Sequence, residues 1–174
     1  MPALKSADFR RLFTLLNDEL RAAGAKGELF LVGGAVMCLA HDARPSTQDA
    51  DGWFRPAKQV REAAARVALR ARVDPHWLND GVKGYLSERG EFAPFLELDH
   101  LRVMVAQPEY LLAMKCLAMR IGAEFHDEDD VRYLLRHLDV RSMEQAVAII
   151  SRFYPIERFP KTLYALAELL PSGG

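Results

Sequence analysis

Residues 28–54 read ELFLVGGAVMCLAHDARPSTQDADGWF, and this stretch decides the fold. A short apolar run, typical of a buried strand, leads directly into Gly33 and Gly34. The residues after them predict a short helix, which the breaker RPST ends, and residues 48–54 then alternate between polar and apolar as a strand does. The stretch therefore predicts a strand–helix–strand unit with paired glycines at its first junction.

The composition is that of an ordinary globular protein. Half of the 174 residues are apolar and 27% are charged, which excludes a disordered chain. The formal net charge is −1, so there is no overall basic field to attract nucleic acid. The length suits one well-packed domain, with or without a small helical appendage.

Two further features bear on where the protein works. Its N-terminus lacks the apolar core of a signal peptide, and no apolar stretch has the length of a membrane span. Cys38 and Cys116 lie in apolar segments without metal-ligand spacing, which favours reduced core residues over a disulfide. We therefore expect a cytoplasmic protein without a membrane partner.

Hydrophobic periodicity divides the chain into two parts. The N-terminal two thirds mix the two element types, with a helix predicted from Ser6, a second over residues 57–71 and a β-hairpin over residues 92–106. The remainder predicts only helices, over residues 109–122, 128–138, 142–152 and 160–170. We therefore expect an α/β (α+β) core over residues 1–107 and a C-terminal helical region over residues 108–174 that packs on it.

Asp49 and Asp51 are two residues apart on a predicted strand, so their side chains should lie on the same face. Two carboxylates on one face repel each other unless a cation lies between them. Such a pair can hold Mg²⁺, which binds one or two carboxylates together with water and substrate phosphates. The alternative is a strand edge at which both carboxylates point into solvent.

The glycine pair favours the metal site over that alternative. Where a strand ends in Gly33 and Gly34 and a helix follows, backbone amides can approach an anion without hindrance from a Cβ atom. Glycines are also common in ordinary turns, so the pair alone is a weak signal. A phosphate cradle after one strand and paired carboxylates on the next together predict a phosphate-plus-metal site.

Five segments of the chain carry a resemblance to a known family. They read FLVGGAVMCLA, STQDADGWF, HWLNDGVKGYL, VMVAQPEYLLAMKCLAMR and HDEDDVRYLL. In this order they resemble the nucleotidyltransferase superfamily, and more narrowly the small bacterial nucleotidyltransferase-like proteins related to AbiEii-type toxins. The resemblance implies a small mixed β-sheet flanked by helices. It also implies that Gly33 and Gly34 hold a nucleoside triphosphate while Asp49 and Asp51 bind Mg²⁺ at the catalytic centre.

Lys115 and Asp130 are charged residues in apolar surroundings. Lys115 is the only charge in YLLAMKCLAM, so it must either reach water from the edge of a core helix or meet a negative partner. Asp130 lies near the buried seam of the next helix, where Lys115 is a candidate partner, whereas Asp127 fits a helix cap. The resemblance implies that Lys115 contacts the triphosphate or the departing pyrophosphate, and that Asp130 acts as a base or orients the lysine.

Three more polar residues match the family segments. Asn79, Asp80 and Lys83 are of types that bind ribose or phosphate, although a helix cap at Asn79 accounts for them as well. Many nucleotidyltransferases carry a third carboxylate on a later strand, for which Glu97 and Asp99 are the candidates. Because Asp99 fits the hairpin turn and Glu97 could face solvent, the third ligand could also be missing.

These features predict a Mg²⁺-dependent nucleotidyltransferase that moves a nucleoside monophosphate from a nucleoside triphosphate to an acceptor hydroxyl. The acceptor could belong to RNA, including tRNA ends, to a protein side chain or to a small molecule. If the protein is the toxin of a toxin–antitoxin pair, a cognate antitoxin is the implied partner. One alternative is a catalytically inactive module of the same fold that binds nucleotides or proteins. Another is a structural protein in which Asp49 and Asp51 are merely solvated.

Overall fold

The computed structural model describes residues 2–118 and 127–171, with the side chains of residue 83 and of residues 160–164 left out. Over these residues the fold is of the mixed α/β class, as the sequence predicts, with seven α-helices, a five-stranded sheet and a two-stranded sheet. Within the same ranges, none of the helices is both long and apolar enough to span a membrane.

The strands and helices of the described residues are numbered separately in chain order. The strands are β1 (Leu4–Lys5), β2 (Gly27–Val32), β3 (Ser46–Thr47), β4 (Ala50–Arg55), β5 (Leu78–Asn79), β6 (Phe92–Glu97) and β7 (Leu101–Ala106). The helices are α1 (Ser6–Ala22), α2 (Gly33–Leu39), α3 (Ala57–Ala71), α4 (Pro108–Ala118), α5 (Asp127–His137), α6 (Met143–Ile150) and α7 (Pro160–Leu169).

The central sheet is mixed, in the strand order β5-β4-β2-β7-β6. Strand β2 lies in the middle, antiparallel to β4 and parallel to β7, while β5 runs parallel to β4 and β6 antiparallel to β7. The predicted hairpin over residues 92–106 is therefore confirmed as β6–β7. The strands β1 and β3 form a separate antiparallel pair.

Strand β4 has one buried face and one half-exposed face. Ala50 and Phe54 alternate with Asp51 and Trp53, and only the first two are buried in the core. Gly52 also faces the core, where a Cβ atom would overlap the backbone carbonyl group of Phe30. Because the buried residues fix the register of β4, they determine which face of the sheet carries Asp51.

The predicted elements of the first part are confirmed with small shifts. The helix over residues 57–71 has the predicted bounds, and α1 begins at Ser6 as expected. Helix α2 includes both glycines in its first turn, whereas the sequence placed its start after them. Strand β4 begins two residues later than predicted, so Asp49 precedes the strand.

The four later helices are confirmed within one or two residues where they are described. The predicted helix over residues 109–122 is described only as far as Ala118, so its last residues lie outside the described ranges. Helix α4 packs against α5, α6 and α7 and carries the buried residues Tyr110 and Cys116. Cys38 and Cys116 are both buried and neither forms a disulfide bond, as predicted.

The chain divides into two compact units. The first comprises Met1–Gly84 and Phe92–Ala106, and the second comprises Tyr85–Glu91 and Gln107–Gly174. The segment Tyr85–Glu91 thus belongs with the C-terminal helices, although it precedes β6 in sequence. Ser87 shows why, because its hydroxyl group donates a hydrogen bond to the Phe153 carbonyl oxygen at 2.6 Å.

Candidate functional site

The glycine turn lies at the end of β2, next to the strand that carries the acids. Gly33 has a φ of +71°, a left-handed conformation that favours glycine over any residue with a Cβ atom. A Cβ atom at Gly33 would lie 3.6 Å from Oδ2 of Asp51. The carboxylate of Asp51 therefore faces the turn, as the sequence predicts.

Asp49 and Asp51 form a half-buried pair, which we call the acid pair. Ala50 between them is fully buried, so the two acids project to the opposite face together. Asp51 lies opposite Val32 in the register of β4 with β2, directly before the glycine turn. Because both acids are half-buried, they differ from the solvated strand edge of the alternative interpretation.

The surroundings of the acid pair raise the affinity of Asp49 for a proton. Burial, and after it the charge of Asp51, raise the pKa of Asp49 to about 6, and the charge of Asp74 adds to this effect. A hydrogen bond from Asn79 opposes the rise but does not cancel it. A bound cation would relieve this repulsion, so the electrostatics suit a metal ligand.

Asn79 connects the acid pair to the edge strand β5. It lies opposite Asp51 in the strand register, and its amide Nδ2 donates a hydrogen bond to Oδ2 of Asp49 at 2.9 Å. Its Oδ1 accepts a hydrogen bond from the Gly81 amide at 3.2 Å, at the start of a 3₁₀ helix over Gly81–Tyr85. Asn79 is thus a helix cap, which is the alternative to nucleotide binding that the sequence left open. It also fixes the orientation of Asp49.

Of the other two residues of that segment, the structure describes the side chain of Asp80 only. Asp80 accepts a hydrogen bond from Arg61 at 2.9 Å and so takes part in an ion pair with α3. The side chain of Lys83, predicted to contact the nucleotide, lies outside the described part of the chain.

Sequence reasoning missed Arg44 and Thr47. A Cβ atom on Gly34 would lie 3.2 Å from Cζ of Arg44 and 2.8 Å from Oγ1 of Thr47, so both side chains occupy the space that the glycine leaves. Arg44 is half-buried and places a positive charge at the turn. In the sequence, RPST (residues 44–47) indicates only a helix breaker. The signal that could have indicated Arg44 is its position shortly before the paired aspartates.

The two candidates for a third carboxylate lie at the opposite end of the sheet. Asp51 pairs with Val32, whereas β7, which follows Asp99, begins opposite Gly27, five residues earlier on β2 and thus roughly 17 Å away. Glu97 is exposed and lies opposite Arg102. Neither residue joins the acid pair.

Asp99 already has cationic and polar partners of its own. Arg21 Nη2 donates to its carboxylate oxygens at 2.6 and 2.8 Å, and Asn17 Nδ2 donates at 3.0 Å. The hydrogen bonds from Arg21, followed by that from Asn17, lower the pKa of Asp99 to about 2. Asp99 therefore ties the hairpin turn to α1.

The acid pair fits Mg²⁺ by its donor chemistry. It supplies two carboxylates on one face, and Mg²⁺ commonly takes one or two carboxylates and completes its shell with water and substrate phosphates. Across the described ranges, no group of three or more His, Cys, Asp or Glu side chains is placed to hold a metal ion. If the protein binds Mg²⁺ here, Asp49 and Asp51 would be the residues that hold it.

In the second unit, Lys115 forms a buried cluster with two aspartates. Its Nζ lies 2.6 Å from Oδ2 of Asp130 and 3.5 Å from Oδ1 of Asp127. The pairing of Lys115 with Asp130 is confirmed, and Lys115 is only 9% exposed, so it does not reach solvent at a core edge. Asp127, expected to cap the helix, is buried as well and contacts the same lysine.

Comparison of the chain with protein-family models, with curated proteins and with solved structures finds no match. The resemblance to nucleotidyltransferases therefore depends on the five sequence segments alone.

Proposed function

We propose that the protein is a Mg²⁺-dependent nucleotidyltransferase. The observation that supports this most is the half-buried acid pair, whose Asp51 faces the glycine turn at the end of β2. Like charges held together in a partly buried site favour binding of a cation. The glycine backbone beside them has no Cβ atom, so it leaves room for the phosphates that accompany Mg²⁺ in phosphoryl-transfer sites.

The proposed reaction joins an acceptor hydroxyl to the α-phosphorus of a nucleoside triphosphate. The new O–P bond forms as the bond between the α-phosphorus and the bridging oxygen breaks, the electron pair leaves with pyrophosphate, and the hydroxyl proton passes to a base. Mg²⁺, when bound, supplies positive charge that neutralises the phosphates. Asp49 and Asp51 hold the ion, and Asn79 keeps Asp49 in place.

The glycine turn would contribute through its open backbone. Helix α2 has only seven residues, so its dipole adds little. Gly33 instead lets a phosphate approach the main chain next to Asp51, and the positive charge of Arg44 lies beside Gly34.

Lys115 and Asp130 belong to the second unit, and their roles at the triphosphate or the acceptor hydroxyl stay predictions from the resemblance. The acceptor, whether RNA such as tRNA ends, a protein or a small molecule, is open, because a net charge of −1 does not favour RNA. A toxin role with a cognate antitoxin, and a cytoplasmic location, are parts of the same proposal.

A second candidate function is a module of this fold that binds nucleotides without catalysis. Neither Glu97 nor Asp99 joins the acid pair, and the residue opposite Asp51 on β5 is Asn79. A two-ion mechanism usually needs more carboxylates than this pair provides.

Label transfer distinguishes the two candidates. The protein is incubated with Mg²⁺, each labelled nucleoside triphosphate in turn, and total cellular RNA or protein. We expect transfer that disappears in Asp51→Ala and persists in Asp99→Ala, the matched control from the other end of the sheet. Binding of nucleotide without transfer supports the inactive module. The absence of both contradicts the proposal.

A further inference from the structure

We propose that Arg44 is the residue of the acid-pair site that binds the phosphates of a polyphosphate ligand. The inference rests on the proposed function and deepens it. It starts from Gly34, where a Cβ atom would lie 3.2 Å from Cζ of Arg44. The two glycines thus have different tasks, since Gly33 adopts the left-handed backbone and Gly34 makes room for the guanidinium group.

The loop that carries Arg44 is anchored on both sides of it. The Ala43 amide donates a hydrogen bond to the Met37 carbonyl oxygen at 2.9 Å, and the Cys38 thiol contacts the Pro45 carbonyl oxygen at 3.8 Å. Both contacts hold the loop on α2. The guanidinium group is therefore placed beside the turn before a ligand binds, which lowers the entropic cost of binding.

Charge explains what an arginine would do at this position. Asp49, Asp51 and the nearby Asp74 make this end of the sheet negative, and a triphosphate adds further negative charge. Arginine presents a planar fork of N–H donors that matches phosphate oxygens in a bidentate arrangement. Thr47, whose Oγ1 would lie 2.8 Å from a Cβ atom on Gly34, adds a hydroxyl donor at the same spot.

The test compares anion binding with cation binding in the full chain. Inorganic tripolyphosphate with Mg²⁺ is titrated by calorimetry, and Mn²⁺ alone by electron paramagnetic resonance. The proteins are the wild type, Arg44→Ala, Arg44→Lys and Asp51→Asn. Arg55→Ala is the matched control, because Arg55 is exposed at the other end of β4 and pairs with Glu28 at 2.8 Å.

Arg44→Ala should weaken tripolyphosphate binding about 10- to 100-fold, the range for charge-assisted hydrogen bonds. The same variant should bind Mn²⁺ as well as the wild type or more tightly, because it removes a positive charge near the acids. Arg44→Lys should recover part of the loss, and Arg55→Ala should match the wild type. If Arg44→Ala weakened both ligands alike, Arg44 would have a structural role and the inference would be overturned.

A double-mutant cycle tests the role of Gly34. Gly34→Ala should weaken tripolyphosphate binding in the wild type but much less in Arg44→Ala, because the glycine serves to seat the guanidinium group. Equal losses in both backgrounds would overturn the inference.

The remaining outcomes separate this inference from the proposed function. If Arg44→Ala binds tripolyphosphate as the wild type does while Asp51→Asn does not, the inference fails and the proposed function stands. If the wild type binds neither tripolyphosphate nor Mn²⁺, both fail.

Discussion

The two ends of the central sheet hold aspartates in opposite electrostatic states. At one end, Asp49 is half-buried beside Asp51, and its pKa is raised to about 6. At the other end, Asp99 accepts hydrogen bonds from Arg21 and Asn17, and its pKa is lowered to about 2. The pKa of the same chemical group thus shifts in opposite directions at the two ends, because Asp49 is half-buried beside a like charge and Asp99 is exposed beside a cation.

The difference distinguishes Asp49, which can bind a ligand, from Asp99, which stabilises the fold. The charge of Asp99 is already compensated, so a metal ion has little to add there. Asp49 would gain from a cation, and strongly shifted acids beside a second charge are typical of functional sites. The comparison therefore favours the end of the sheet next to the glycine turn as the functional end.

The largest effect on stability should come from the buried cluster of the second unit, where the compensated acids are buried. Lys115→Met removes the ammonium group that contacts Asp127 and Asp130, and we expect a loss of about 3–5 kcal/mol in the free energy of unfolding. Urea denaturation measures it. Lys58→Met, at an exposed position on α3, should change stability by less than about 0.5 kcal/mol. Equal effects would show that the cluster is solvated.

Mg²⁺ should stabilise the protein through the acid pair only. At a concentration one hundredfold above its Kd, the ion should add about 2.7 kcal/mol to the free energy of unfolding of the wild type. Thermal unfolding with and without Mg²⁺ checks this. Asp51→Asn should lose the stabilisation and Asp99→Asn should keep it. If Mg²⁺ stabilised both variants as much as the wild type, the two ends of the sheet would not differ in metal binding.

Asp49→Asn should stabilise the metal-free protein at neutral pH. Because the folded-state pKa lies above that of the unfolded chain, ionised Asp49 opposes folding above pH 6 and ceases to do so as the pH falls towards 4. We expect the variant to gain about 1–2 kcal/mol at pH 8, less than the full pKa shift would give because solvent screens the half-buried carboxylate, and nothing below pH 4. Denaturant titrations at the two pH values measure the gain. A destabilised variant at pH 8 would contradict this account of the acid pair.

Asp99→Asn should have the smallest effect and the opposite pH dependence. The folded-state pKa of Asp99 is lowered, so its contribution to stability is present above about pH 4 and disappears as the pH falls towards 2. Melting temperatures of the variant and the wild type should differ slightly at pH 7 and converge near pH 2. If the two melting temperatures moved further apart as the pH falls, the charge of Asp99 would not be compensated by Arg21 and Asn17.

Much of the fold could be predicted because its signals are local. The helix over residues 57–71 and the hairpin over residues 92–106 follow from periodicity, and the spacing of Asp49 and Asp51 fixes their common face. Lys115 needed a buried partner, and Asp130 was the acid nearest the seam of the next helix. In each case the sequence contains the pattern that produces the contact.

The missed features depend on chain paths that no periodicity encodes. Arg44 reaches Gly34 because its loop folds back onto α2, and nothing in the residues 40–47 alone requires that path. Asn79 contacts Asp49 because β5 pairs directly with β4, although helix α3 separates the two strands in sequence. Such contacts join residues that are distant in sequence, so they depend on tertiary packing.

The most direct test of the acid pair is the position of a bound metal ion. Crystals of the full chain are soaked in Mn²⁺, which replaces Mg²⁺, and an anomalous difference map is calculated at the manganese absorption edge. We expect a peak between the carboxylates of Asp49 and Asp51, next to Gly33, that disappears in Asp51→Asn crystals. A map without a peak there, or with Mn²⁺ only at other acids, would contradict the account.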